Sequence, residues 1–352
     1  MHWAVILGGG EPRLWKWIGW MGVDLFFVLS GFLIVGQLLA EVHTGGKIRF
    51  GRFYLRRFLR IQPSYFVILA VFYGTNALGT GEPLPPFIWS AFLVQNFLPI
   101  FSSLDFTWSL CVEEHFYLLA PALVALAWRS GKPARWCVVL LVGGFLAQIA
   151  VRALGWQAHG LDQRPYPMPA DSFVPYFKTW FRLDGLLVGA ALASVKEFRP
   201  GIWVRWADRP GRVFLLSLVM LVPAALTFHS DGGAWGAVVF GYSALALGFG
   251  ALLVSVSGPK SWAGVRELPG AGALARLAYA LYLCNDPVLK GVRSLLATWG
   301  LPADGPEGIV LAVGSLLLSA ILLHHGVERP FLALRSRLSE VPPRIASATP
   351  GS

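Results

Sequence analysis

The run Thr107–Tyr117, T-W-S-L-C-V-E-E-H-F-Y, places two carboxylates and an imidazole inside an otherwise apolar block. Ser109, Glu113 and Tyr117 recur every four residues, so on a helix they share one face, and that face must look into protein rather than lipid. Glu114 and His115 point elsewhere, toward other helices. Acids in such a place either move protons or tie helices together through a buried network. The spacing alone leaves both open.

Further polar residues interrupt apolar blocks. Asp24 lies in the outer part of the stretch G-V-D-L-F-F-V-L-S-G-F at 22–32. A charge there needs a partner or water, and marks either function, a structural pair, or a cap on the helix start. Ser30 and Gly31 suit close helix packing better than chemistry. In Arg182-Leu183-Asp184 the two charges lie about 200° apart round a helix, so they cannot form one same-face pair and each needs its own partner or a hydrated cavity. The segment 49–60, R-F-G-R-F-Y-L-R-R-F-L-R, alternates aromatic and basic residues. Its spacing predicts a short amphipathic helix lined by Arg56, Arg57 and Arg60 at the membrane surface. Guanidinium forks there suit either anionic lipid headgroups or the phosphates of a nucleotide-like cosubstrate. Tyr279, Tyr282 and Asp286 share a face, with Asn285 beside them and Pro287 expected to weaken the helix. Glu328-Arg329-Pro330 reads as a structural cap or lipid contact.

The elements that must position these residues follow from composition. A chain of 352 residues that is 55% hydrophobic and 14% charged has too little polar surface for a water-soluble globule. Its apolar residues fall in blocks of about 18 to 25, the length that crosses a hydrocarbon core. The fold class expected is all-α, a polytopic transmembrane bundle of about ten helices. Its spans are 17–40, 63–81, 108–128, 136–155, 177–195, 212–229, 234–256, 276–297 and 307–326. The shorter stretch 86–101 is expected to be re-entrant or interfacial. With that assignment, twenty of the 29 Lys and Arg residues fall on one face, in the loops near 47–60, 129–135, 196–212 and 260–276 and near the C-terminus. The net charge of +10 therefore encodes orientation before anion binding, and nucleic acid is not expected as a partner. Cys111, Cys137 and Cys284 lie in apolar segments without metal-ligand spacing, and no metal is expected. Residues 1–338 form one membrane domain, and 339–352, rich in Pro and Ser toward its end, is a disordered cytoplasmic tail. Met1–Leu7 is apolar but far too short to span.

Taken in order, these blocks resemble the acyltransferase 3 family, membrane O-acyltransferases related to bacterial O-antigen acetylases. The resemblance runs through G-V-D-L-F-F-V-L-S-G-F at 22–32, F-Y-L-R-R-F-L-R-I-Q-P at 53–63 and T-W-S-L-C-V-E-E-H-F-Y at 107–117. It continues through R-L-D-G-L-L-V-G at 182–189, A-Y-A-L-Y-L at 278–283 and V-E-R-P-F at 327–331. Six ordered matches across most of the chain are specific where one would be weak. The resemblance implies a ten-helix domain in the bacterial inner membrane with its C-terminus cytoplasmic. It also implies acyl-CoA, chiefly acetyl-CoA, as cosubstrate, no bound cofactor, and a carbohydrate or glycolipid hydroxyl as acceptor. The family's first helix carries an arginine and, eleven residues on, a histidine just before G-V-D-L-F-F. His2 fits the histidine, and the arginine would precede residue 1, so a first helix lacking its front is expected. Asn285 stands where the family pattern often has histidine.

Carried onto these residues, the resemblance makes His2 the general base or transient acyl carrier, with Asp24 or Glu113 orienting it and Arg56, Arg57 and Arg60 holding the CoA phosphates. Ser109, Glu114, Arg182, Asp184, Tyr282 and Asn285 are further polar candidates. Two other readings stay open. A membrane transporter also buries acids and arginines at mid-membrane, although no internal repeat is visible, and a non-catalytic remnant would fit the missing arginine and Asn285.

Overall fold

The computed structural model describes residues 21–78, 84–98, 104–158, 177–231, 235–261, 269–303 and 305–339. All regular structure among them is helical. The chain divides into two compact units, one of residues 1–48 and 72–273, the other of 49–71 and 274–352.

In the larger unit, α1 (Gly22–Gly45), α4 (Trp108–Arg129), α5 (Pro133–Ala158), α8 (Pro210–Asp231) and α9 (Tyr242–Val256) are long apolar helices. A shorter α6 (Asp184–Phe198) lies between them, followed by the two-turn α7 (Pro200–Ala207). α1 and α6 pack against each other because small residues let their backbones touch. A Cβ on Gly31 would overlap the Leu186 carbonyl, and one on Gly189 would overlap that of Val28. Gly185 and Gly189 thus form a G-x-x-x-G face. On one side of this pair Phe27, Trp108, Val112 and Leu186 are buried together. On the other, Val28 joins Tyr242, Leu245 and Phe249.

α5 shows what solvent the unit was built for. Gln148, Arg152 and Trp156, four residues apart, are buried, whereas Val138, Val142, Leu146 and Leu154 are exposed. Polar inside and apolar outside reverses the pattern of a water-soluble helix and suits a bilayer. Six helices among the described residues are long and apolar enough to cross a membrane: Gly22–Gly45, Asp105–Arg129, Pro133–Ala158, Pro210–Phe228, Ala237–Val256 and Pro306–Leu338. This is a membrane protein, with six such helices where about ten were expected.

The expected span 177–195 is not one helix. A single 3-10 turn, Thr179–Phe181, precedes an irregular link at Arg182 and Leu183, and α6 begins at Asp184. The stretch 84–98 is no crossing helix either. It contains the one-turn α3 (Phe87–Ala91) and a 3-10 turn at Gln95–Phe97. It is tied at its entry, where the Tyr73 hydroxyl donates to the Pro85 carbonyl at 2.6 Å, and at its exit, where Gln95 Nε2 donates to Thr107 at 2.8 Å. The first bond satisfies a backbone carbonyl that no helix satisfies, and the second joins two buried side chains.

In the smaller unit, residues 49–71 belong to α2 (Phe50–Ala77), which runs unbroken through Pro63. The predicted short amphipathic helix at 49–60 is therefore the opening of a 28-residue helix. α10 (Ala271–Thr298) likewise continues through Pro287, where the helix was expected to weaken. α11 (Pro306–Leu323) passes through a π turn, His324–Glu328, into α12 (Arg329–Ser339). Ser339, predicted to open the disordered tail, ends a helix instead; the rest of that tail lies outside the described residues, as do Met1–Leu7 and the expected truncated first helix.

Candidate functional site

Two arginines among the described residues lie fully inside the larger unit. Arg182, at the irregular link before α6, donates from one terminal nitrogen to Asp24 Oδ1 at 2.7 Å, and both side chains are buried. Its guanidinium carbon stands 3.9 Å from the centre of the Tyr242 ring and 5.0 Å from that of Trp108, so two aromatic faces share the charge. Asp24 sits in the first turn of α1 without a side-chain cap bond, so it is Arg182 and not the helix end that holds it. Its second oxygen, Oδ2, is buried and takes no hydrogen bond from the described residues.

Arg152 is the second. Its Nε donates to the Val239 carbonyl at 3.0 Å. One terminal nitrogen donates to the Phe181 carbonyl at 3.0 Å and to Asp184 Oδ2 at 2.5 Å, and the other to Asp184 Oδ1 at 3.1 Å and Ser243 Oγ at 2.7 Å. These are the five bonds that five N–H donors can make. Val239 lies in the π turn Ala237–Gly241 that leads into α9, where the wider ladder accommodates a carbonyl bonded from the side. One turn earlier on α5, Gln148 receives the Leu183 N–H at 2.9 Å and donates to the Trp180 carbonyl at 2.9 Å. Gln148 and Arg152 together hold the unwound segment 180–184.

Arg182 and Asp184 thus take different partners, as expected, although Arg182 lies in the irregular link and not on a helix with Asp184. Two buried cations and two buried anions cancel, so this network fixes geometry more than it attracts a charged ligand. Arg152, Gln148, Tyr242 and Ser243 were missed in the sequence. Arg152 had a signal, a lone charge inside the apolar block 136–155. Tyr242 and Ser243 had none.

Ser109, Glu113 and Tyr117 are buried together along α4, as their spacing predicted, and Glu114 is half-buried. His115 bonds Thr179 Oγ1 at 2.7 Å. His2 lies outside the described residues. In the smaller unit, Arg56 and Arg60 are exposed and Arg57 is half-buried with its guanidinium over Phe53, 5.8 Å from the ring centre. Tyr282 and Asn285 are half-buried on α10 near the Asp286–Lys290 ion pair of 3.0 Å. Glu328 is buried and bonds His324 Nδ1 at 2.6 Å across the π turn, where a cap or lipid contact was expected.

The family model for the acyltransferase domain matches residues 1–324. A Staphylococcus aureus (strain COL) protein named "Putative O-acetyltransferase SACOL0978" is 27% identical over 96% of this chain and 57% of its own length. The peptidoglycan O-acetyltransferase OatA of Listeria monocytogenes is 30% identical over 52% of the chain and 30% of its own length. The O-acetyltransferase OatA of Staphylococcus aureus (strain NCTC 8325 / PS 47) is 24% identical over 87% of the chain and 51% of its own length. The chain spans about half the length of the curated relatives it matches over most of its own length. No solved structure matches it.

Proposed function

The chain belongs to the acyltransferase domain family, and from that membership we propose that it is a membrane O-acetyltransferase. It moves an acetyl group from acetyl-CoA to a hydroxyl of a cell-envelope carbohydrate or glycolipid. O-acetylation is the activity named for its relatives, one of them a peptidoglycan O-acetyltransferase. It works in the bacterial inner membrane with the C-terminus in the cytoplasm.

One observation carries the catalytic reading. Asp24 is held rigidly by Arg182, with its other carboxylate oxygen buried and open on the described side. A carboxylate so fixed is the orienting half of an acid–imidazole pair. His2 supplies the imidazole that accepts the acceptor hydroxyl's proton, with Asp24 or Glu113 as the carboxylate that orients it. The hydroxyl oxygen then adds to the thioester carbonyl, the carbon–sulfur bond breaks, and the CoA thiolate leaves with the proton from His2. Glu113, on the buried face of α4, is the second carboxylate available to steer that proton. Arg56, Arg57 and Arg60 hold the CoA phosphates as a fork-shaped cluster. Tyr282 and Asn285 supply hydrogen bonds to substrate.

Membranes carrying the chain, given radiolabelled acetyl-CoA, are expected to transfer label to a glycolipid or polymer fraction. Histidine 2 changed to alanine (H2A) should lower the rate about 10²–10⁴-fold with folded protein retained. Turnover unchanged in H2A would reject the base assignment. A second reading, transport, is favoured by the broken helix at 179–184, a device of transporters. Accumulation of substrate in vesicles without covalent change would establish transport in place of transfer.

A further inference from the structure

His115 sits outside the network just described, and its protonation can be deduced from its neighbours. The Phe177 carbonyl oxygen only accepts, so the Asn96 atom 3.1 Å from it is the amide nitrogen. The same nitrogen lies 2.9 Å from Thr179 Oγ1 and donates to it. Among the described residues the remaining contact of that hydroxyl is His115 Nδ1 at 2.7 Å, so the hydroxyl proton points at Nδ1. An imidazole that accepts at Nδ1 carries its own proton on Nε2. The ring is also clamped. It stacks on Phe97 at 4.9 Å with 8° between planes, and Phe97 stacks on Trp180 at 5.2 Å with 3°. Nε2 is buried and has no hydrogen-bond partner among the described residues. A buried donor left unmatched is costly in a native protein and calls for a ligand atom.

We propose that His115 is a neutral hydrogen-bond donor to a substrate oxygen through Nε2–H, and that it is not a base. The role rests on the acyl-transfer reading. The oxygen is either the acyl carbonyl, on which negative charge grows as the acceptor adds, or the acceptor hydroxyl itself; each needs a donor in this position. Thr179 and Asn96 are positioning residues that fix the tautomer.

The test has two arms on the full chain. Nitrogen-15 NMR of protein labelled at histidine, with His115→Gln used to assign the resonance, is expected to give an unprotonated Nδ1 and a protonated Nε2. A protonated Nδ1 would overturn the proposal. In the transfer assay, His115→Gln places an amide nitrogen near the Nε2 position and should keep most activity. His115→Asn places it near Nδ1 and should lose on the order of 10²-fold. Loss in kcat assigns the donor to the acyl carbonyl, and loss confined to the acceptor's KM assigns it to the acceptor. Equal activity in the two variants, high or low, contradicts the donor role. If the wild-type chain transfers no label, the proposed function fails, and the nitrogen shifts still decide the tautomer.

Discussion

At Arg152 all five donors are used, and two of the acceptors are backbone carbonyls in segments that are not regular α-helix. Replacing it strands Asp184 and frees both carbonyls inside a dry interior. Arg152→Met should therefore cost about 3–5 kcal/mol, the usual penalty for leaving one member of a buried ion pair alone. Arg152→Lys should recover little, because three donors on a flexible stem cannot reproduce a five-donor fork. Thermal unfolding in detergent would measure both, and a double variant with Asp184→Leu should be less damaging than the two single losses added. An additive result would mean the pair is not coupled. The sequence disclosed part of this site. It led to separate partners for Arg182 and Asp184 by treating both as helical, and the partners are separate although Arg182 precedes the helix. It could not name Asp24 and Arg152 as their partners, which lie 158 and 32 residues away along the chain. No local pattern encodes a contact across such distances.

The helices themselves were largely legible, because an apolar block of about twenty residues has few alternatives in a bilayer. The failures are physical rather than accidental. Residues 177–195 read as one span since Phe181 and the run Leu186–Ala193 are apolar, yet hydropathy takes no account of a Gln148 and an Arg152 that bond the backbone at 180–183 in place of the helix ladder. Pro63, read as the start of a span, and Pro287, expected to weaken its helix, both lie inside helices that continue through them. A proline removes one hydrogen bond, and packed neighbours can tolerate that. The contact between α1 and α6 makes a sharp prediction at this scale. Gly189→Leu should destabilise the unit by about 1–3 kcal/mol or rearrange it, because the side chain must enter the Val28 backbone. Gly36→Ala, whose added carbon meets Ala193 at an ordinary 3.9 Å, should be neutral or slightly stabilising. Unfolding midpoints of the two variants check this, and equal shifts would refute the close-approach argument.

In the larger unit, chain ends sort by charge. His43 at the end of α1 pairs with Glu197 at the end of α6, and its ring lies 6.0 Å from Trp128 at the end of α4. Lys260 pairs with Asp208 at 3.3 Å. The basic loops near 47, 129–135, 196–212 and 260 thus gather at one end of this unit, and Asp24, Trp108 and Arg182 lie at the other ends of those helices. Such sorting matches the positive-inside pattern. Cysteines placed at Lys132 and Lys260 are expected to react with an impermeant thiol reagent from the cytoplasmic side, and one at Trp235 from the opposite side. Labelling of Lys132→Cys and Lys260→Cys from different sides would disprove the sorting.

The π turn at 237–241 has a further consequence for how this chain tolerates change. Such a turn is an α-helix holding one surplus residue. Deleting a single residue between 237 and 241 would return the turn to the common α-helical ladder and leave the chain beyond it facing as before, because the surplus residue is absorbed within the turn. Tyr242 would stay over Arg182 and Ser243 beside Asp184, while Arg152 would lose the Val239 carbonyl to the closed ladder. The segment 237–241 should therefore accept apolar replacements and even the loss of one residue at the cost of a single arginine bond, so the widened turn serves Arg152 and not the register of the helix that follows.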